Sequence, residues 1–188
     1  ANIHFADKDL EIKNMRITGN TRQKKIFDVY HKDEAFLKDL RMPLLGEYQG
    51  KNILTALQSL IILGSHGYHI TPDHILKGIS NVIRNTKLKG RWQKLREKPV
   101  VICDTAHNAE GLQEVFLQIE KNKFNHLHIV FGMVQEKEID SILSLLPKNA
   151  TYYFCSPAIP RGLDVNTLTK AAQLRGLSGD PFNSVDAA

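Results

Sequence analysis

Pro99-Val100-Val101-Ile102-Cys103-Asp104-Thr105-Ala106-His107-Asn108 is an apolar run of strand type that ends in a carboxylate, an imidazole and a carboxamide, with a helical pattern starting at Ala109. This order sets three polar side chains at the carboxyl end of a buried strand and the amino end of a helix. Open α/β sheets bind ligands along that edge, and the free N–H groups of a helix start favour anions there. Asp104 closes four apolar residues, so its carboxylate needs a partner or burial becomes costly. Asn108 is of the type that caps a following helix.

From Pro99 onward the pattern alternates, with strands expected at 100–103, 127–131 and 151–155 and helices at 109–121, 138–146 and 165–175. Gly176 is a plausible stop for the last helix. Such alternation predicts an α/β fold with a parallel, doubly wound sheet and right-handed crossovers. Three strands make a small sheet of that kind, so the native domain is expected to continue beyond Ala188. Cys103 and Cys155 sit in apolar runs with no second ligand at metal spacing, and they read as reduced core thiols.

Upstream, residues 8–18 and 24–31 alternate like strands, with a turn at Thr18-Gly19-Asn20. Two antiparallel strands make a poor independent domain, so they are expected to belong to a larger sheet whose beginning is absent or supplied elsewhere. After Pro43-Leu44-Leu45-Gly46 the period becomes helical through Ile53, Leu57, Leu60, Ile61 and Gly64. A second helix is announced by Thr71 as N-cap, Pro72 at the first helical position and Asp73 in the first turn. Its stripe runs through Ile75, Ile79, Val82 and Ile83.

The 188 residues are 42% hydrophobic and 24% charged, an ordinary balance for a soluble globular protein. No apolar run approaches the roughly 18 residues of a membrane span, and the first residues lack the order of a signal peptide. A cytoplasmic protein without a membrane partner is expected. Lys87, Lys89, Arg91, Lys94, Arg96 and Lys98 stand against Glu97 alone, which accounts for the whole net charge of +5. Charge gathered in one short segment fits a compact anion better than a nucleic acid lying across a face.

Gly46-Glu47-Tyr48-Gln49-Gly50-Lys51-Asn52 is not a phosphate-binding P-loop. That loop has four residues between its glycines and a Ser or Thr after its Lys; here three intervene and Asn52 follows. No G-x-G-x-x-G follows an expected strand, which disfavours a Rossmann dehydrogenase. Gly90-Arg91 lies inside the basic segment, where an Arg beside a Gly can approach a phosphate closely; Trp92 reads as an anchor for that segment. Two later turns, ending in Lys137 and Arg161, each set a cation near the carboxyl end of an expected strand. Cations beside a carboxylate and an imidazole make an anion or acyl-phosphate site credible.

Taken in order, the pieces at 46–52, 90–91, 104–108, 131–137 and 160–161 resemble the folylpolyglutamate synthase and dihydrofolate synthase family of the Mur ligase superfamily. The family pattern runs roughly G-x-H-Q-x-x-N, G-R, D-x-A-H-N-P, F-G with a following Lys, and P-R. The resemblance spans about residues 36–170 and is specific through order and spacing. Tyr48 stands where His is common, Ala109 replaces the Pro after Asn108, and Trp92 follows Gly90-Arg91 where the family often has its Trp before them.

The resemblance implies a truncated Rossmann-like carboxyl-terminal domain at 99–188, preceded by the strand-and-helix tail of an ATPase domain at 1–86 and a basic interdomain linker at 87–98. The family's P-loop part is not in this sequence, so a fragment inactive alone is expected. The implied activity is an ATP-dependent amide ligase that joins L-glutamate to a folate through an acyl phosphate. Asn52, Arg91 and Asp104 correspond to ATP-binding positions, and His107 to the residue facing the transferring phosphoryl group. Lys137 and Arg161 fall on the substrate side. Magnesium ligands are expected in the missing part and none here, and a monomer is expected. A stand-alone nucleotide- or anion-binding module and a Mur-type cell-wall ligase are the alternatives, and dihydrofolate synthase is not separable from folylpolyglutamate synthase.

Overall fold

Strand β2 (Lys24–His31) is buried along most of its length because it has a neighbour on each edge, β1 (Leu10–Thr18) and β3 (Glu34–Met42), both antiparallel. The computed structural model describes residues 3–19, 23–135 and 139–188. A four-residue helix α1 (Ala6–Asp9) leads into β1. β3 escapes the sequence reading for a physical reason. Its buried residues are Leu37, Leu40 and Met42, and the spacing breaks at Asp39, which sits at φ 51 in an irregular stretch of the β2–β3 register. A bulge spoils the period of two by which strands are recognised.

The helices that follow are α2 (Gln49–Ser65), α3 (Pro72–Ser80) and α4 (Val82–Thr86). Phe27, Val29, Leu37, Leu40 and Met42 of the sheet form a core with Ile53 and Leu57 of α2 and Ile75 of α3. Thr71 caps α3 as expected. Its hydroxyl accepts from the His74 N–H at 3.2 Å while the Thr71 N–H donates to His74 Nδ1 at 3.4 Å, a reciprocal capping box. The single second helix expected from the stripe is interrupted at Asn81, whose side chain donates to the Lys77 carbonyl at 2.9 Å, and Val82 begins α4.

The basic segment, read as an aperiodic connector, is strand β4 (Gln93–Glu97), paired antiparallel with β5 (Val100–Cys103). This corrects the placement of the run at 100–103, which was expected to open the parallel sheet. The ribbon leaves Leu95, Val100, Val101 and Ile102 exposed. Neither strand therefore carries the in/out alternation that marks a half-buried strand. The chain divides into compact units Ala1–Thr105 and Ala106–Ala188.

In the second unit the expected α/β alternation is present. α5 (Ala109–Glu120), α6 (Ile139–Ser144) and α7 (Val165–Leu174) accompany a parallel sheet of β6 (His128–Phe131), β7 (Thr151–Cys155) and β8 (Gly179–Phe182), in that order. Tyr152 and Phe154 of β7 are fully enclosed by Leu112, Phe116, Leu143, Leu168 and Ala172 among others. β8 is an edge strand and so tolerates Pro181. Asn108 caps α5, accepting from the Gly111 N–H at 2.8 Å, and Asp164 caps α7, accepting from the Thr167 N–H at 2.9 Å. Gly176, at φ 77, ends α7 with paired bonds from its own N–H to the Gln173 carbonyl and from Leu177 to Ala172, a Schellman closure. Cys103 and Cys155 are free thiols, and burial pushes the Cys155 thiol above its ordinary pKa. Among the described residues no helix is long and apolar enough to cross a membrane.

Candidate functional site

The pairing of Gln93 with Cys103 is the last rung of the β4–β5 ribbon, and continuing it sets the 90–92 loop beside 104–105. The Thr105 N–H donates to the Gly90 carbonyl at 2.9 Å and its hydroxyl does so at 3.0 Å. Gly90 sits at φ 64, and a Cβ there would lie 2.4 Å from Thr105 Cγ2, so the approach requires glycine. Its own N–H donates to Gln93 Oε1 at 3.0 Å. The Arg91 guanidinium donates to the Gly90 carbonyl at 3.1 Å and to the Thr105 hydroxyl. Trp92 is buried and held in the left-handed region at φ 48, which aims its N–H at Asp104.

Asp104 thus has the partner that its position demands. Its Oδ2 accepts the Trp92 N–H at 2.6 Å and the Tyr48 hydroxyl at 2.8 Å. Burial, then the adjacent Asp104 carboxylate, push the Tyr48 phenol well above its usual pKa, against smaller opposing effects of Gln49 and Arg91. Tyr48 therefore remains a proton donor at neutral pH.

Tyr48 is also the N-cap residue of α2, whose first turn carries the buried Gln49 and the exposed Asn52. Asn52 does not cap the helix; its Nδ2 donates to Gln49 Oε1 at 3.2 Å. The loop before α2 is held from beneath by Lys25, a buried residue of β2 whose ammonium donates to the Gly46 carbonyl at 2.8 Å.

Arg91, Asp104 and Asn52 accordingly lie in one unit, with Arg91 and Asp104 laced into the same loop pair. A guanidinium, a carboxylate and the head of a helix can together hold an anion that also carries hydroxyl groups. His107 lies in the second unit, exposed, one residue before the Asn108 cap. Arg161 is exposed in the same unit, after β7, and its carbonyl accepts the Gln135 N–H at 2.8 Å. Lys137 lies outside the described residues. Among the described residues no group of three or more His, Cys, Asp or Glu could hold a metal ion.

The sequence reading missed Tyr48 as a partner of Asp104, Thr105 as a partner of Arg91, and Lys25. Tyr48 was visible only as a departure from a pattern. Thr105 needed the knowledge that the basic segment is a strand.

The family described as Mur ligase, glutamate ligase domain, matches residues 90–188, beginning at the glycine that precedes Arg91. The chain belongs to this family. Its curated relatives place it in the folylpolyglutamate synthase and dihydrofolate synthase branch of the Mur ligases. A Haloferax volcanii protein named "Probable bifunctional folylpolyglutamate synthase/dihydropteroate synthase" is 29% identical over 156 residues, covering 82% of this chain and 18% of that protein. The Escherichia coli dihydrofolate synthase/folylpolyglutamate synthase is 30% identical over 156 residues, covering 81% of this chain and 33% of the enzyme. The fold matches that of Mycobacterium tuberculosis folylpolyglutamate synthase, solved with ADP and AMPPCP, at a TM-score of 0.77 and 23% identity over 96% of this chain and 39% of that one. This Mur ligase chain thus spans well under half the length of these relatives.

Proposed function

We propose that the protein is an ATP-dependent amide ligase that adds L-glutamate to a folate, either dihydropteroate or a folylpolyglutamate. The observation that carries this reading is the Asp104 carboxylate, held by Tyr48 and Trp92 beside the Arg91 guanidinium. In the reaction an oxygen of the substrate carboxylate attacks the γ-phosphorus of ATP and ADP leaves. The amine nitrogen of glutamate then attacks the acyl carbon, phosphate departs, and the nitrogen loses a proton.

Asn52 hydrogen-bonds the base, Asp104 accepts from ribose hydroxyls, and Arg91 neutralises phosphate charge. His107 stabilises charge on the transferring phosphoryl group, and Lys137 and Arg161 serve the anionic substrate.

The test is ATP-dependent incorporation of labelled glutamate into dihydropteroate and into folylpolyglutamate by the full-length protein that carries this chain. Arg91→Ala is expected to raise the ATP requirement about tenfold or more, the order of one charge-assisted contact. Absence of incorporation by the full-length protein that carries this chain, with either acceptor, overturns the ligase. Unchanged ATP dependence in the variant removes Arg91 from the site.

A further inference from the structure

We propose that Tyr48 is a positioning residue for this site: its phenol fixes the rotamer of Asp104 and ties the head of α2, which carries Asn52, to the carboxylate at the end of β5. The inference rests on the ligase reading, since it concerns how Asp104 meets the nucleotide. The two residues are 56 apart in sequence, and the link between them is a single 2.8 Å bond to Oδ2. Trp92 N–H reaches the same oxygen at 2.6 Å, so two donors from different elements converge on it. A carboxylate with one donor can still rotate about its Cβ–Cγ bond. Two donors from separate elements hold its plane.

The ring of Tyr48 is itself placed by the structure around it. A Cβ on Gly46 would come within 2.6 Å of Tyr48 Cε1, so the ring lies back over its own loop only because residue 46 is glycine. The Gly46 carbonyl is in turn held by the buried Lys25 ammonium. A chain of contacts therefore runs from the middle sheet strand β2 through the loop to the phenol and then to Asp104. The family pattern commonly has His at this position, and this chain uses a longer donor to make the reach.

The test compares, in the full-length protein, kcat and the KM for ATP in glutamate incorporation for the wild type, Tyr48→Phe, Tyr48→His, Asp104→Asn and the double variant Tyr48→Phe/Asp104→Asn. Tyr48→Phe removes only the hydroxyl and is expected to raise the KM for ATP about five- to tenfold, the scale of one hydrogen bond to a charged group, with kcat changed less than about twofold. Tyr48→His, which restores an N–H donor, is expected to recover part of the loss. The double variant should be no worse than Asp104→Asn alone, because the phenol acts through that carboxylate.

A wild-type KM in Tyr48→Phe, or losses that multiply in the double variant, overturn the inference. Should Tyr48→Phe fail to fold by circular dichroism, Tyr48→Leu, which also lacks a donor, paired with Asp104→Asn makes the same comparison. A full-length wild type that incorporates no glutamate overturns the ligase reading, and the positioning role falls with it.

Discussion

The side-chain amide of Asn14 donates to Oδ2 of Asp28 at 2.8 Å, tying the bulge of β1 to the middle of β2. The other oxygen, Oδ1, accepts the Asp39 N–H at 3.0 Å from the irregular stretch of β3. Asn14 and Asp39 both have positive φ, at 56 and 51. One carboxylate on the central strand therefore anchors the distortions of both neighbours.

The Asn14 amide first, then the Asp39 N–H, hold the Asp28 carboxyl below its ordinary pKa, with burial acting the other way and Lys38 adding a smaller attraction. Its folded pKa is depressed, so its contribution to stability is complete above the unfolded value of about 4 and is lost as pH falls through the folded value. Urea unfolding between pH 6 and pH 3 should show this loss, and Asp28→Asn should flatten it.

Gly90→Ala meets both a positive φ and the methyl of Thr105 at 2.4 Å. The expected cost is about 2 kcal/mol of stability, the usual scale for backbone strain and overpacking. Thr105→Ser removes Cγ2 and keeps the hydroxyl, so it should recover part of that cost in the double variant. Denaturant midpoints of the four proteins settle it, and an additive result would show that the methyl is not the obstacle.

Lys25→Met keeps the length of the buried stem and removes the donor to the Gly46 carbonyl. The Gly46 carbonyl keeps the Gln49 N–H at 3.1 Å but loses a charge-assisted bond worth about 1.5–3 kcal/mol. A loss of that size in chemical denaturation is expected, together with a faster exchange of the amides of the 46–50 loop.

Asn108→Ala leaves the N–H of Gly111 without its 2.8 Å acceptor and should cost about 1 kcal/mol. Asn108→Asp retains an acceptor and adds a charge that the helix start favours, so its thermal midpoint should equal or exceed that of the wild type.

Burial pushes the Tyr152 phenol above its ordinary pKa, and its hydroxyl donates to the Pro147 carbonyl at 2.6 Å. Tyr48 is raised in the same sense. A raised folded pKa makes the stability contribution complete below the unfolded value of about 10 and lost as pH climbs through the folded one. Stability measured from pH 9 upward should therefore fall, and Tyr152→Phe should lessen the slope while lowering stability at neutral pH.

What could be read without coordinates was short in range. Thr71 and Asn108 declare helix starts within four residues, and the helical periods after Gly46 and Ala109 are carried by neighbouring turns. The alternation after Pro99 gave the α/β class because each crossover helix and strand is patterned on its own. β3 was hidden because the bulge at Asp39 breaks the period of two. β5 was read as a strand at 100–103, but β4 was missed and β5 given the wrong sheet because an exposed ribbon carries no alternation to find.

The sequence by itself determined the family, through motifs whose order and spacing survive without any knowledge of contacts, and it named Asn52, Arg91 and Asp104 as residues of interest. Only the tertiary structure decided which side chains serve them. Tyr48 reaches Asp104 across 56 residues and Thr105 reaches Gly90 across 15, both within the unit Ala1–Thr105. Such pairings are set by strand register and chain packing. Local propensity records neither.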